Sequence, residues 1–276
     1  RSAVRTRLAP PFILKLEISK MTTVAFYSKG TSIEVQNTWS KRLKFYYPSL
    51  KLVPLLSEEA KFATVALLWK APLNYLNKIT RIKGLISLGQ GVDHILNGNL
   101  IPENIPVVRI VDPYMAKSMS HWVLLSILNI IRDTYGYFSQ ENTKIYKPRD
   151  EKNFLSLKIG VYGIGAIGSV VAKDLSYMGF NVQGWSRTKK KIKTITCLSG
   201  SEGFKALITN SDIHVCLLPL TPSTENIFNK HKFINMKKGS CFINAGRGEH
   251  VDENHLLDSC RSGHISNAVL DVKNCL

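Results

Sequence analysis

Short runs of aliphatic and β-branched residues alternate along this chain with stretches whose apolar residues recur every three or four positions. The first pattern is typical of buried strands and the second of amphipathic helices, so their alternation predicts parallel sheets wrapped by helices. In the first part of the chain, strands are predicted at 22–28, 63–69, 84–88 and 107–111, and helices at 32–46, 72–79 and 92–97. Further on, strands are predicted at 157–162, 180–185, 212–218, 240–244 and 265–271, and helices at 166–178 and 252–262. The fold class expected is α/β, with two doubly wound domains.

The most apolar helical segment lies between these two regions. The pattern predicts one long helix over 115–146, ended by Pro148, and its stretch from Trp122 to Ile131 is largely apolar. Such a helix needs burial against a neighbouring domain or a second subunit, so a homodimer is expected. The stretch is too short for a membrane span, which needs about 20 apolar residues. The predicted segments are a basic leader or tail 1–20, a first domain 21–114, a linking helix 115–148 and a second domain 149–276.

Net charge narrows the range of partners. The 276 residues include 37 Lys and Arg against 20 Asp and Glu, which gives a formal charge of +17. A charge of this size attracts nucleic acid, anionic membranes or anionic small molecules. A nucleic-acid partner would rest on charge alone, because no interleaved aromatics or recognisable binding domain accompany it. We expect a small anionic ligand, and neither nucleic acid nor a membrane.

The chain's first residues and its cysteines bear on the compartment. The segment 1–20 is rich in Arg, with Glu17 as its single acid, which is typical of mitochondrial transit peptides. Met21 stands directly before the first predicted strand, so upstream sequence or a tail explains 1–20 equally well. Five irregularly spaced cysteines indicate neither a disulfide framework nor a zinc site, and reduced thiols are the cytosolic default. We expect a cytoplasmic protein without a metal, or a mitochondrial one if 1–20 belongs to a transit peptide.

The first motif of the second domain that indicates a ligand site is a glycine-rich turn. Gly163, Gly165 and Gly168 have G-x-G-x-x-G spacing, follow an aliphatic strand and begin an amphipathic helix. In that context the first glycine permits a tight turn, the second lets the backbone approach a pyrophosphate and the third lets helix and strand pack closely. Ala166 and Ile167 then stand at the helix start, where unpaired N–H groups favour phosphate. The turn predicts a dinucleotide site.

The end of the next strand predicts which dinucleotide binds. An NAD site has an Asp or Glu there to accept the ribose hydroxyls, whereas a 2′-phosphate needs cations instead. This chain has Ser186, Arg187 and Lys189, and no acid. Arg187 would stack on adenine or hold the phosphate, Ser186 would donate a hydrogen bond and Lys189 would add charge. NADP is therefore expected over NAD, and the lysines that follow are expected in a solvated loop: Lys190, Lys191 and Lys193.

Two later loops leave the carboxyl ends of predicted strands, where open α/β sheets bind ligands. The first contains Leu218 and Pro219, and the second runs from Asn244 to Gly248. Arg247 lies between two glycines in the second loop, so backbone can crowd a ligand there. A guanidinium in that position can hold a carboxylate and polarise an adjacent carbonyl. Arg247 is the candidate catalytic residue.

These motifs together resemble the D-isomer-specific 2-hydroxyacid dehydrogenases, and within them the glyoxylate and hydroxypyruvate reductase A group. The resemblance covers about 22–272. It rests on the glycine turn, the LLPLTPST loop and four further motifs: ALLWKAP at 66–72, SLGQGVDHIL at 87–96, GWSRT at 184–188 and NAGRGEHV at 244–251. It implies a flavodoxin-like substrate domain, followed by a Rossmann dinucleotide-binding domain. It also implies NADPH-dependent reduction of a small 2-oxo acid.

The resemblance assigns roles residue by residue. Gln90 and Gly91 match the loop whose backbone N–H groups take the substrate carboxylate, and Trp69 matches an aromatic that shapes the substrate pocket. Arg247 matches the arginine that binds substrate and takes part in catalysis. The remaining matches are to cofactor-lining positions: Leu218, Pro219, Ala245 and, holding the nicotinamide amide, Asp271.

The resemblance also has departures. In the family the LDV strand leads to a catalytic Glu in an E-P context and a proton-donating His in a P-H context, whereas here KNCL follows LDV and the sequence stops. We therefore expect a second domain that is incomplete at its C-terminus, in a chain that reduces glyoxylate poorly or not at all, as an inactive fragment would. His94 and His250 are the histidines nearest the expected site, though a solvated or capping position is expected for both rather than the role of proton donor. The alternative function is a non-catalytic dinucleotide-binding or sensing module.

Overall fold

The computed structural model describes residues 22–96, 101–102, 104–148 and 153–274. The basic segment predicted at 1–20 lies outside these residues. The chain divides into two compact units between Val111 and Asp112. Within the described ranges, no helix combines the length and apolarity that crossing a bilayer requires.

The first unit is built on a five-stranded parallel sheet with strand order β2-β1-β3-β4-β5. Its elements are β1 Thr22–Ser28, α1 Ile33–Tyr46, β2 Leu50–Pro54, a 3-10 helix Glu58–Phe62, β3 Val65–Trp69, a 3-10 helix Leu73–Lys78, β4 Gly84–Ser87, α2 Asp93–Leu96 and β5 Val107–Arg109. This strand order is that of flavodoxin-like sheets. Small and aliphatic side chains fill its core, among them Ala25, Leu68, Leu85 and Ile95.

The second unit is built on a six-stranded parallel sheet with strand order β11-β10-β9-β6-β7-β8. Its elements are α3 Pro113–Ile131, α4 Thr134–Asn142, a 3-10 helix Phe154–Ser156, β6 Lys158–Tyr162, α5 Ala166–Tyr177, β7 Asn181–Ser186, β8 Thr196–Ser199, α6 Gly200–Asn210, β9 Ile213–Cys216, α7 Lys230–Asn235, β10 Ser240–Asn244, a 3-10 helix Gly248–His250, α8 Glu253–Arg261 and β11 Ile265–Leu270. The order reverses between β6 and β9, as in a Rossmann sheet. The predicted fold class, two parallel-sheet α/β domains, is confirmed.

Three of the four interior strands of the second sheet, β6, β9 and β10, are covered on both faces. Every residue of β9 and β10 is buried, and so is every residue of β6 after Lys158. Strands covered on both sides lack the alternation of half-buried strands and instead form nearly continuous apolar runs. This is why the sequence shows them clearly as IGVY, IHVC and SCFIN.

The single helix predicted over 115–146, in the linking segment 115–148, is corrected to two helices. α3 begins at Pro113, where the Asp112 carboxylate caps it by accepting the Tyr114 N–H at 2.9 Å. It ends at Ile131, and Asp133 adopts a left-handed conformation with φ +49° before α4 begins. Apolar periodicity persists across this break, so the pattern alone does not show it.

α3 belongs to the second unit and packs along α5. Val123 and Ile127 are fully buried in that unit's core. Asp174 on α5 accepts hydrogen bonds from Lys117 at 2.7 Å and Ser120 at 2.6 Å. Burial raises the pKa of Asp174, but these two bonds outweigh it and the pKa is lowered overall. The predicted burial of this helix is thus met within its own unit.

Several elements were not predicted because polar residues interrupt them. β2 carries Lys51 and ends in Pro54, so it lacks a strand signature. β8 and α6 meet at Ser199 and Gly200, and Gly200 has φ +70°. A serine and glycine cluster of this kind also indicates a loop. The missed elements are β2, β8, α6, α7 and three short 3-10 helices, whereas the helix predicted at 72–79 is present as the 3-10 helix Leu73–Lys78.

Candidate functional site

The carboxyl ends of five neighbouring strands form one edge of the second sheet. The strand order places the ends of β7, β6, β9, β10 and β11 side by side. Chain order reverses between β6 and β9, and open α/β sheets bind ligands in the crevice at such a reversal. The glycine turn follows β6, the Leu218 loop follows β9 and the Arg247 loop follows β10. The sequence candidates of this unit therefore share one edge.

The three glycines of the turn are constrained in different ways. Gly163 has φ +98°, and a Cβ there would lie 2.6 Å from the Leu217 carbonyl oxygen. A Cβ on Gly168 would overlap the Gly163 carbonyl oxygen. At Gly165, by contrast, no atom lies within 4 Å of where a Cβ would stand. Two glycines close the turn and the middle one faces open space.

The turn leaves hydrogen-bond donors available at the start of α5. The Trp185 carbonyl accepts the N–H groups of Gly163 at 2.8 Å and Ile164 at 3.2 Å. Gly165 is the N-cap of α5 and has no side chain to cap the helix, which continues with Ala166 and Ile167. The first N–H groups of a helix lack partners within it. Donors beside open space at Gly165 fit the pyrophosphate of a dinucleotide.

The basic segment after β7 is partly ordered by this turn. Lys190 donates from Nζ to the Ile164 carbonyl at 2.7 Å. Arg187 and Lys189 are exposed, whereas Ser186 is buried and donates from Oγ to the Thr188 carbonyl at 2.8 Å. Ser186 therefore stabilises the backbone of the basic segment through this internal hydrogen bond.

Lys190 is exposed, as expected of a solvated loop, but it also makes a contact that the sequence does not predict. Its hydrogen bond to the turn holds an ammonium group beside the helix start. No motif spacing signals this contact, because it joins residues 26 positions apart through the pairing of β6 with β7. Only the density of lysines after Arg187 could have drawn attention to it.

Asn244 holds the Arg247 loop from inside the sheet. Its side chain is fully buried, accepts the Gly246 N–H at 3.1 Å and donates to the Arg247 carbonyl at 2.8 Å. The Arg247 guanidinium donates from Nη1 to the Gly246 carbonyl at 2.8 Å. Arg247 is half-buried and its loop is fixed through its backbone.

His250 closes the same loop from the other side. It is fully buried, and its Nδ1 accepts the Arg247 N–H at 2.9 Å. Burial lowers the pKa of His250, so the ring is neutral. The sequence indicates His250 only as one of two histidines near the expected site and gives it no positioning role. Its spacing of three from Arg247 is the one available signal.

The other candidates of this unit line the same edge to different depths. The Leu218 side chain is buried in an aromatic core cluster, and Pro219 is exposed. Ala245 is half-buried and its N–H is bound by the Cys216 carbonyl at 3.0 Å. Asp271 is exposed, and its N–H is bound by the Asn244 carbonyl at 2.9 Å. Backbone bonds thus hold Ala245 and Asp271 to the strand ends.

In the first unit, a compact loop follows β4. Ser87 is fully buried, donates from Oγ to the Gly91 carbonyl at 2.7 Å and accepts the Gly89 N–H at 3.2 Å. The Arg109 guanidinium donates to the Gln90 carbonyl at 3.3 Å. These bonds turn the loop around Ser87 and leave Gln90 and Gly91 half-buried.

Trp69 lies directly against this loop. A Cβ on Gly89 would overlap the Trp69 ring, so only glycine permits this packing. The His94 ring meets Trp69 edge to face with centroids 4.7 Å apart, and His94 Nε2 lies 3.3 Å from the Leu68 carbonyl oxygen. Trp69, Gln90 and Gly91 are thereby brought together within the first unit.

Comparison with known proteins identifies a family for this chain. The family model for the D-isomer specific 2-hydroxyacid dehydrogenase NAD-binding domain matches residues 123–274. Glyoxylate/hydroxypyruvate reductase A of Yersinia enterocolitica is 32% identical over 239 residues, which are 85% of this chain and 76% of that protein. The chain belongs to the D-isomer specific 2-hydroxyacid dehydrogenase family. The family predicted from the motifs is confirmed.

Solved structures of this family resemble the whole described fold. A D-isomer specific 2-hydroxyacid dehydrogenase of Xanthobacter autotrophicus, in complex with NADPH and MES, has a TM-score of 0.84 and 31% identity. It matches over 92% of this chain and 82% of its own. The NADPH-dependent glyoxylate/hydroxypyruvate reductase of Sinorhizobium meliloti, in complex with NADP and sulfate, has a TM-score of 0.83 and 29% identity, with the same coverage. Members of the family are oxidoreductases that act on CH–OH groups. The second unit of this chain corresponds to the family's NAD(P)-binding domain.

Proposed function

We propose that this protein reduces a small 2-oxo acid, such as glyoxylate or hydroxypyruvate, with NADPH in preference to NADH. The observation that carries the cofactor preference is the end of β7, where Arg187, Lys189 and Lys190 replace the acid of an NAD site. Lys190 lies against the glycine turn, so its charge is near the expected phosphate groups. Two solved relatives were obtained with NADPH or NADP, which supports the same choice.

In this proposal the second unit holds the cofactor through the turn and the strand ends. The first N–H groups of α5, at Ala166 and Ile167, would bind the pyrophosphate, and Gly165 would let the backbone approach it. Arg187 would pair with the 2′-phosphate. The remaining cofactor contacts are assigned to Gly163, Gly168, Lys189, Leu218, Pro219, Ala245 and Asp271. Ser186 would support the site indirectly, since its hydroxyl is donated to the Thr188 carbonyl. When bound, NADPH supplies a hydride from C4 of the nicotinamide to the carbonyl carbon of the oxo acid.

The oxo acid itself is assigned to Arg247 and to the loop after β4. The Arg247 guanidinium would polarise the carbonyl oxygen and stabilise the negative charge that develops there. Backbone N–H groups at Gln90 and Gly91 would bind the carboxylate, and Trp69 would limit the size of the substituent. His250 is buried and neutral, so it is not assigned a proton for the product alkoxide.

A homodimer belongs to the same proposal. Large apolar side chains remain exposed on α3 and α4, including Leu125 at 56%, Tyr135 at 56% and Phe138 at 56%. Exposed apolar side chains clustered on adjacent helices favour a protein partner. Light scattering of the purified chain should give twice the monomer mass, and a monomer at micromolar concentration would contradict the dimer.

A direct test measures binding and turnover in the same preparation. Fluorescence titration should show at least about tenfold tighter binding of NADPH than of NADH, since a charge-assisted pair contributes more than about 1.4 kcal/mol. NADPH oxidation should then depend on added glyoxylate or hydroxypyruvate. Tighter binding of NADH would overturn the cofactor assignment. NADPH binding without turnover of any 2-oxo acid would support the alternative, a dinucleotide-sensing module.

A further inference from the structure

Two buried side chains hold the two backbone polar atoms of Arg247. Asn244 donates to its carbonyl at 2.8 Å, and His250 Nδ1 accepts its N–H at 2.9 Å. Both side chains are fully buried. The N–H and the carbonyl of Arg247 belong to the two peptide groups that flank its Cα. Neither peptide group can rotate without breaking a buried hydrogen bond. The direction in which the Arg247 side chain leaves the backbone is therefore set from beneath.

The imidazole also supports the neighbouring residue by contact. A Cβ on Gly246 would lie 2.8 Å from His250 Nδ1 and 2.9 Å from Cε1, so Gly246 packs directly on the ring. Cys216 Sγ lies 3.7 Å from Nδ1, and burial raises the pKa of that thiol to about 12. The ring thus contacts both a neutral thiol and the loop.

Only one protonation state of His250 suits this arrangement. An Nδ1 that accepts an N–H has its lone pair directed at the donor and its proton on Nε2. Burial and the charge of Arg247 lower the pKa of His250, whereas the Pro219 carbonyl, Glu249 and the Arg247 backbone raise it. A proton on Nδ1 would place two donors against each other and release the Arg247 N–H.

We propose that His250 is a positioning residue for Arg247: as a neutral acceptor it fixes the Arg247 backbone and so aims the guanidinium. This rests on the proposed role of Arg247 toward the oxo acid. His250 stabilises the loop in three ways: it accepts the Arg247 N–H, it packs against Gly246 and it is completely buried. None of these requires His250 to contact the substrate. Oxo-acid reduction should depend on the acceptor at Nδ1 rather than on an imidazole as such.

Two substitutions separate the acceptor from the ring. Asn at 250 places Oδ1 at the same number of bonds from Cα as Nδ1, whereas Leu offers similar bulk and no acceptor. We expect His250→Leu to lower kcat/KM for glyoxylate by about tenfold or more, and His250→Asn to recover most of it. NADPH affinity should change by less than about twofold in both variants. A His250→Asn variant no better than His250→Leu would overturn the proposal.

His214 provides a matched control. It is a second fully buried histidine of the same sheet, bonded through Nδ1 to the Tyr162 hydroxyl at 2.8 Å. His214→Leu should lower the melting temperature while leaving the KM for glyoxylate unchanged. If His214→Leu and His250→Leu change KM and kcat equally, the effect at His250 is loss of stability, and the proposal fails.

A measurement without cofactor or turnover tests the hydrogen bond itself. Nitrogen-15 NMR of the unliganded chain should show His250 as the Nε2–H tautomer below pH 6.5, and the Arg247 amide should exchange more slowly in the wild type than in His250→Leu. Equal exchange rates would overturn the positioning role. If Arg247→Lys leaves turnover unchanged while the exchange difference persists, the proposed function of Arg247 fails and the placement of its backbone stands.

Discussion

The glycine turn and the Arg247 loop follow β6 and β10, two strands of one sheet that are separated by β9, and they are specified in opposite ways. The turn is defined by what its residues lack: Gly163 and Gly168 leave no room for a Cβ, and Gly165 has open space around it. The Arg247 loop is defined by what lies beneath it, since Asn244 and His250 bond its backbone from buried positions. A motif of residue types identifies the first, whereas the second depends on contacts that only the folded sheet provides.

The largest expected effect is on stability, and it distinguishes the glycine of the turn that is needed for packing from the one that is needed for binding. Gly168→Ala places a Cβ on the Gly163 carbonyl oxygen and should lower the free energy of unfolding by about 2–3 kcal/mol. Gly165→Ala meets no atom within 4 Å and should leave stability nearly unchanged, yet weaken NADPH binding because the methyl group occupies the space expected for phosphate. Urea denaturation and fluorescence titration of both variants measure this. Equal stability of the two would contradict the assigned geometry.

The contrast between these regions also explains how much the sequence could predict. Most strands of both sheets, the glycine turn and the lack of an acid after β7 follow from residue types and spacing, so the sequence alone predicts them. It does not predict the contact of Lys190 or the two buried bonds to the Arg247 backbone, because each joins residues through strand pairing or burial. The break at Asp133 was missed because apolar periodicity continues on both sides of it.

Arg187→Asp tests the charge at the edge of the turn. Replacing a cation that faces the 2′-phosphate by an anion should weaken NADPH binding by about 2 kcal/mol, roughly 30-fold, and NADH binding much less. Lys191→Asp makes the same change in charge a few residues further along the segment, at another exposed position, and should change the NADPH-to-NADH ratio little. Fluorescence titration with both cofactors measures the ratio. A similar loss for the two cofactors would indicate a general electrostatic effect.

Acid should destabilise the sheet beneath the turn. His214 is buried beside Tyr162, and burial lowers its pKa to about 3 from 6.5. Below about pH 6.5 His214 binds a proton in the unfolded chain, whereas in the folded chain it stays neutral until about pH 3. The free energy of unfolding should therefore fall with falling pH across this window, by up to about 1.4 kcal/mol for each pH unit. His214→Asn keeps an acceptor for Tyr162 and should flatten this dependence in urea titrations between pH 7 and 5.

The smallest expected effect tests whether the Arg247 loop serves chemistry or the fold. Arg247→Lys keeps the charge but loses the planar pair of donors, so kcat/KM for glyoxylate should fall about tenfold, equivalent to about 1.4 kcal/mol. The loop backbone is bonded by Asn244 and His250, and neither bond involves the guanidinium. The melting temperature and NADPH affinity should therefore change little. A large fall in melting temperature with unchanged kcat/KM would show that the guanidinium bond to the Gly246 carbonyl stabilises the loop. In that case the turn and the loop would both serve the cofactor and the fold, and the oxo acid would have to be bound elsewhere.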